Sequence, residues 1–252
     1  MQLVSSQDNT EIAYGRDGDG PPVVLVHGGS ATRHSWDALT PPLADDYELV
    51  ALDRRGRGDS GDGEEYSLER EVADVRAVID ALDDDPILFG HSFGALVALE
   101  VARTTTVERL VLYEPALLTG SHREGAVLAD RMQERLDAGE RREAVELFFR
   151  EAAGIENLEP LPVGRVAEIA ETIVRENRVV ERYELDADLE ISVPTLLLTG
   201  ENGPEHLRDG VRTLHERLAQ SRLVELSEAG HVGISTAPEQ VAQEFRAFAD
   251  ED

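Results

Sequence analysis

Short apolar runs alternate along this chain with stretches whose apolar residues recur at helical spacing, and this alternation constrains the fold more than any other feature. Pro22–His27 reads PVVLVH, an unbroken apolar run of the kind a strand buried on both faces requires. Comparable runs recur at Glu48–Asp53, Pro86–Gly90, Arg109–Glu114, Pro194–Gly200 and Leu223–Ser227. Helical patterns accompany them at Ser35–Leu43, Ser67–Leu82, Ser92–Thr104, Glu205–Leu218 and Pro238–Ala249. Strands separated by helices must cross over and pair in parallel, so the expected class is α/β, a mostly parallel sheet flanked by helices. Two further runs, Gln2–Ser6 and Glu11–Arg16, are joined through Asp8-Asn9 and read as an antiparallel hairpin.

The rhythm stops between Glu114 and Pro194. That stretch holds helical patterns only, at Arg123–Ala138, Arg141–Ala153 and Val163–Tyr183, with Gly154 and Pro160-Leu161-Pro162 as breaks. The reading is a core of residues 1–115 and 193–252 carrying a helical lid, 116–192; surface helices without a gating role are the alternative. The 252 residues, 41% of them hydrophobic, suffice for one large core. No apolar run approaches the roughly 20 residues of a membrane span. The first residues have neither a basic stretch nor an apolar core, so a soluble, cytoplasmic protein without membrane association is expected.

Gly90-His91-Ser92-Phe93-Gly94 follows an apolar strand and opens an apolar helix. This is the G-x-S-x-G pattern in the strand–turn–helix setting that gives it chemical meaning. The serine occupies a tight turn at a helix N-terminus, where free N–H groups favour developing negative charge. The flanking glycines keep side chains out of the neighbouring strand and helix. Ser92 is therefore the candidate nucleophile. Upstream, His27-Gly28-Gly29-Ser30 ends an apolar strand, and its small residues would let the Gly29 N–H join the Phe93 N–H as an oxyanion hole. His231, in Glu228-Ala229-Gly230-His231 after the last strand, lies downstream of the serine, in the chain order that goes with a G-x-S-x-G nucleophile and its base. His34, His122, His206 and His215 lie in polar stretches and are expected on the surface.

These residues resemble the α/β-hydrolase superfamily, in its small serine esterase and haloperoxidase-like branch. The resemblance runs through VLVHGG, Asp53-Arg54-Arg55-Gly56-Arg57-Gly58-Asp59-Ser60, GHSFG, LYEP, PTLLLTG and the late GH, and leaves the lid unmatched. It implies an eight-stranded sheet with the active site at its carboxyl edge, no cofactor and no metal. A serine in place of aspartate implies acyl transfer on an ester, lactone or thioester, with peracid formation as a side reaction. Asp53 and the glycines after it resemble the family's shape-setting turn. The usual acid position, after Thr199-Gly200, holds Asn202, which cannot stabilise an imidazolium as a carboxylate does. Either Glu201 serves, or the acid is Glu114 at the end of the Arg109–Tyr113 strand; Glu114 is preferred, with capping of the lid's first turn as its alternative role. A ligand receptor that retains the triad without turnover is a rival reading. A dinucleotide-dependent oxidoreductase is another, because Gly56-Arg57-Gly58-Asp59-Ser60-Gly61 fits G-x-G-x-x-G. No helix is expected to open within that motif, and the fingerprint requires one.

Charge narrows the setting. Asp and Glu number 52 against 24 basic residues, all arginine, for a formal net charge of -28. Such a surface repels itself in dilute buffer and is screened in molar salt, where the Debye length is about 3 Å. Acidic residues such as Glu69, Glu71, Asp74, Glu239 and Glu244 alternate with apolar ones and read as solvated helix faces. Adaptation to high salt is the expectation, with a basic partner or cationic substrate as the alternative. Nucleic acid is a poor partner for so negative a chain. Without cysteine there are no disulfides, thiolate metal ligands or thiol nucleophile.

Overall fold

The computed structural model describes residues 1–251. Its strands are β1 (Gln2–Ser5), β2 (Glu11–Asp17), β3 (Pro22–Val26), β4 (Glu48–Leu52), β5 (Ile87–His91), β6 (Arg109–Tyr113), β7 (Thr195–Gly200) and β8 (Ser221–Leu226). They form one eight-stranded sheet in the order β1-β2-β4-β3-β5-β6-β7-β8. β2 runs antiparallel to both its neighbours, β1 and β4, and the remaining pairs are parallel. β3, β5 and β7 are buried along their whole length, which is why they lack polar alternation.

The main helices are α1 (Leu68–Ile79), α2 (Phe93–Ala102), α3 (Leu128–Asp137), α4 (Arg141–Leu147), α5 (Ala170–Arg182), α6 (Glu205–Arg217) and α7 (Pro238–Ala249). Ser67 caps α1 by accepting the Arg70 N–H. One sheet face packs against α1, α2 and α6 through residues such as Val75, Val78, Leu96 and Leu214. The other packs against α7 and the Trp36–Leu43 segment, where Phe89 stacks on Phe245 with centroids 5.9 Å apart. Burying each such side chain contributes about 1.5–3 kcal/mol, so α7 is held by Val241, Phe245 and Phe248 rather than by helix propensity.

Several element boundaries differ from the sequence reading for local reasons. Ser35–Leu43 is not one helix but a 3-10 turn, Arg33–Trp36, and a single helical turn, Thr40–Leu43. Pro41 and Pro42 are tolerated only in a first turn and cannot continue a helix from upstream. Gly125, at φ 79°, interrupts the pattern that begins at Arg123, so α3 starts at Leu128. The Val163–Tyr183 pattern breaks into a short turn, a 3-10 segment at Ala167–Ile169, and α5. Residues 116–192 have an apolar cluster of their own, built on Met132, Val145, Phe149, Val166 and Ile173.

Two acidic side chains correct the expectation of solvated faces. Glu71 and Asp74 on α1 are buried, whereas Glu69 and Glu239 are exposed and Glu244 is half-buried. Their partners come from the turn after β4. The Arg54 guanidinium donates to both oxygens of Glu71 at 3.1 and 2.9 Å, and Arg55 to both of Asp74 at 2.6 and 2.7 Å. Paired forks of this kind offset the cost of burying charge; removing one partner alone typically costs 3–5 kcal/mol. Asp53, also buried, accepts the Arg33 and Asp59 backbone N–H groups at 2.8 and 3.0 Å and pairs with the Arg33 side chain. The glycine-rich stretch Gly56–Gly61 opens no helix, since α1 begins only at Leu68, and Gly58 lies against the Asp53 carboxylate. This geometry contradicts the dinucleotide-binding reading.

Candidate active site

The carboxyl ends of the parallel strands gather the candidate residues at one edge of the sheet. Ser92 follows β5 and Glu114 follows β6. The two strands pair with His91 opposite Tyr113, and the Ser92 N–H donates to the Tyr113 carbonyl at 3.0 Å. Both residues have left-handed backbone, φ 56° at Ser92 and 41° at Glu114. For non-glycine residues this strain costs on the order of 1 kcal/mol or more, and the paired strands on either side hold it. The turn at Ser92 also demands its glycines. A Cβ on Gly90 would lie 2.5 Å from the Ala95 Cα, and one on Gly94 would strike the Val26 carbonyl oxygen.

His231 enters on the loop after β8 and bridges the other two side chains. Its Nδ1 lies 2.7 Å from Glu114 Oε2 and its Nε2 lies 3.0 Å from Ser92 Oγ. Glu114 is fully buried, and its Oε1 accepts the Thr199 hydroxyl and the Gly200 N–H, each at 2.9 Å. A carboxylate fixed by two donors on one oxygen presents the other to the imidazole, so His231 carries its proton on Nδ1 and offers an Nε2 lone pair to the serine. The loop after β7 takes no part in this chain. Asn202 is exposed, and Glu201 accepts the Glu228 N–H at 3.0 Å on the surface. The loop approaches Glu114 only through Gly203, where any side chain would collide with the carboxylate.

Two neighbours set the position of His231. Tyr113 donates its hydroxyl to the Gly230 carbonyl at 2.6 Å. His91 donates from Nε2 to the His231 carbonyl at 2.8 Å, and their rings lie 4.8 Å apart. Burial, with His231 beside it, lowers the His91 pKa to about 3, so it is a neutral donor throughout the physiological range. His27 is neutral for the same reason, burial reinforced by Arg54 and Arg57; its Nε2 accepts the Arg54 N–H at 3.1 Å.

Gly29 and Phe93 line the same cavity as Ser92 and His231, and among the described residues neither N–H has a protein acceptor. The glycine loop is held from behind by arginines. Arg54 donates to the His27 and Gly28 carbonyls at 3.3 and 3.2 Å, Arg57 donates to the Gly29 carbonyl, and the Arg54 guanidinium lies 4.5 Å from the centre of the Phe93 ring.

Two cavities of about 310 Å³ each meet at Gly29, Ser92, Phe148 and His231. One is walled by apolar side chains, among them Phe149, Ile155, Leu161, Val166 and Ile234. The other is more polar, with His122, Glu176, Asn177 and His206 in its wall. Most of the residues peculiar to the polar arm come from 116–192, whereas the apolar arm is shared between that segment and the core loops around Ser30 and Ile234. Two histidines expected on the surface therefore belong to the site. His206 donates to the Ala152 carbonyl at 3.1 Å, with its pKa lowered by burial, and His122 pairs with Asp209 at 3.2 Å. His34 and His215 are exposed as expected. Sequence reasoning also missed Glu176 and Asn177, because nothing in the α5 pattern separates a cavity-facing residue from a core-facing one. No group of three or more His, Asp or Glu side chains suited to holding a metal occurs among the described residues.

A family model described as alpha/beta hydrolase family matches residues 23–244. A solved alpha/beta hydrolase from Sphaerobacter thermophilus DSM 20745 is 32% identical, with 98% of this chain and 99% of that one covered and a TM-score of 0.86. An esterase from Exiguobacterium antarcticum, 21% identical, covers 99% of each chain with a TM-score of 0.85, a likeness that shows the fold alone. The uncharacterized hydrolase YraK of Bacillus subtilis is 30% identical over 145 residues, 55% of this chain and 54% of its own, so the match spans about half of that relative.

Proposed function

Because the chain belongs to the alpha/beta hydrolase family, we propose that it is a serine hydrolase cleaving a carboxylic ester, lactone or thioester through an acyl-enzyme. The observation that carries the proposal is the continuous chain from Glu114 Oε2 through His231 to Ser92 Oγ, at 2.7 and 3.0 Å. Ser92 Oγ attacks the acyl carbon as its proton passes to His231 Nε2. Glu114 holds the imidazole in the required tautomer and stabilises the imidazolium. The Gly29 and Phe93 N–H groups receive the tetrahedral oxyanion, assisted by the N-terminus of α2; each such donor contributes roughly 10²–10³ in rate. His231 then protonates the leaving alcohol or thiol. A water molecule, deprotonated by the same nitrogen, attacks the acyl-enzyme, and Ser92 recovers its proton as the acid departs.

In this reading residues 116–192 form a lid that shapes both arms of the cavity and sets specificity, and the substrate is a small molecule rather than a polymer or a membrane. The charge of -28 adapts the surface to a high-salt interior. Stopped-flow mixing with 4-nitrophenyl butyrate in molar KCl tests the mechanism. A burst of nitrophenolate equal to the enzyme concentration is expected; steady ester cleavage that neither shows a burst nor labels Ser92 would exclude the acyl-enzyme.

A further inference from the structure

Glu176 crosses from α5 to the sheet and is only 1% exposed. Its Oε1 takes both Arg54 and Arg57. Its Oε2 has no hydrogen-bond partner among the described residues. A buried carboxylate oxygen left without a donor is costly, the more so when charged, and such an atom calls for an explanation. Its location supplies one. Glu176 is in the wall of the polar arm together with Ser92, Phe93 and His231, and a Cβ on Gly29 would stand 3.2 Å from Oε2. The free lone pairs therefore sit beside the residue assigned to the oxyanion hole, on the side where a bound acyl chain would lie.

We propose that Glu176 Oε2 is a recognition point for a hydroxyl group on the acyl chain, close to the scissile carbonyl, so that the preferred substrates are hydroxyacyl esters or the matching lactones. The inference rests on the serine-hydrolase reading above. Chemistry selects the donor. An ionised carboxylate oxygen accepts hydrogen bonds and makes none, so an ether or ketone at that point meets lone pair with lone pair. A neutral donor suits it better than an ammonium group. The negative charges of Glu176 and Glu71 are already matched by Arg54 and Arg57, leaving no unbalanced charge to draw a cation. The second arm, walled by Phe149, Ile155, Leu161 and Val166, is left for the apolar part of the ester.

The test compares 4-nitrophenyl esters of butyric, 3-hydroxybutyric and 3-methoxybutyric acids by kcat/KM, in the wild type and in Glu176→Gln. In the wild type the hydroxy ester is expected to exceed the methoxy ester by about tenfold or more, as for a hydrogen bond to a charged acceptor. In Glu176→Gln the amide oxygen must serve the two arginines, which turns the NH2 to the free position and makes it a donor. The hydroxy-to-methoxy ratio then falls by about tenfold, and the methoxy ester gains on the butyrate. Equal wild-type rates for the three esters, with Ser92 still labelled by a fluorophosphonate, would overturn the subsite alone and leave Oε2 to be satisfied internally, by the Arg57 Nε that also lacks a partner. No turnover of any ester together with no labelling would overturn the serine-hydrolase reading, and the subsite with it. If Glu176→Gln does not fold, the wild-type ratio decides.

Discussion

Replacing Glu114 by glutamine removes a charge while keeping the shape, and the structure dictates how the new amide must turn. The present Oε1 accepts from the Thr199 hydroxyl and the Gly200 N–H. Both are buried donors, so the glutamine oxygen has to remain there and its NH2 has to face His231 Nδ1. Two donors cannot meet, and the imidazole responds by moving its own proton to Nε2, the nitrogen 3.0 Å from Ser92 Oγ. In that tautomer it cannot take the serine proton. The imidazolium formed later also loses its carboxylate. A wrong tautomer of this kind costs up to roughly 10⁴ in turnover, which at 1.36 kcal/mol per tenfold is about 5.5 kcal/mol of transition-state stabilisation. The loss should fall on kcat, with KM little changed and circular dichroism unaltered. The controls are Glu201→Gln and Asn202→Asp, both expected within a few-fold of wild type because neither side chain touches His231. A crippled Glu201→Gln beside a Glu114→Gln of near wild-type turnover would refute the reasoning.

Acid sensitivity is expected to come partly from His91 and His27. Both are held neutral by burial, His91 with its pKa near 3 against an ordinary 6.5. A depressed folded-state pKa means that the unfolded chain binds more protons, so the stability is complete above about pH 6.5 and is lost as pH falls toward the folded value. His91→Gln should therefore flatten the pH dependence of unfolding free energy between pH 5 and 6 by up to about 1.4 kcal/mol per unit, measured by urea titration in molar KCl; identical slopes would contradict this. Melting temperature and activity should both rise from dilute buffer to molar KCl, because screening relieves the repulsion of the -28 charge. A melting temperature independent of KCl would remove the salt adaptation and favour a basic partner.

What the sequence reveals is what local physics enforces. The turn around Ser92 is legible because Gly90 and Gly94 admit no side chain, and the parallel sheet because β3, β5 and β7 are apolar on both faces. The meeting of Glu114 with His231 is legible in part, from Glu114's place at the end of a strand expected beside β5 and from Asn202 at the usual acid position, which left Glu201 as the alternative. Glu71 and Asp74 were misread as solvated because their helical spacing is that of a surface stripe; their partners, Arg54 and Arg55, precede them by most of a loop. Glu176 is harder still. Its arginines lie more than a hundred residues away, and only the packing of α5 onto the sheet brings them together. The same holds for His122 and His206, whose place at the cavity depends on how 116–192 folds back.

The claim on which the account rests is that Ser92 is the nucleophile, and the most direct measurement is covalent capture. Intact-protein mass spectrometry after treatment with a fluorophosphonate should show one adduct, mapped by peptide fragmentation to the Gly90–Gly94 turn. Ser92→Ala should show none and should lose most ester turnover, with an unchanged circular dichroism spectrum. An adduct that persists in Ser92→Ala, or that maps elsewhere in the wild type, would contradict the assignment.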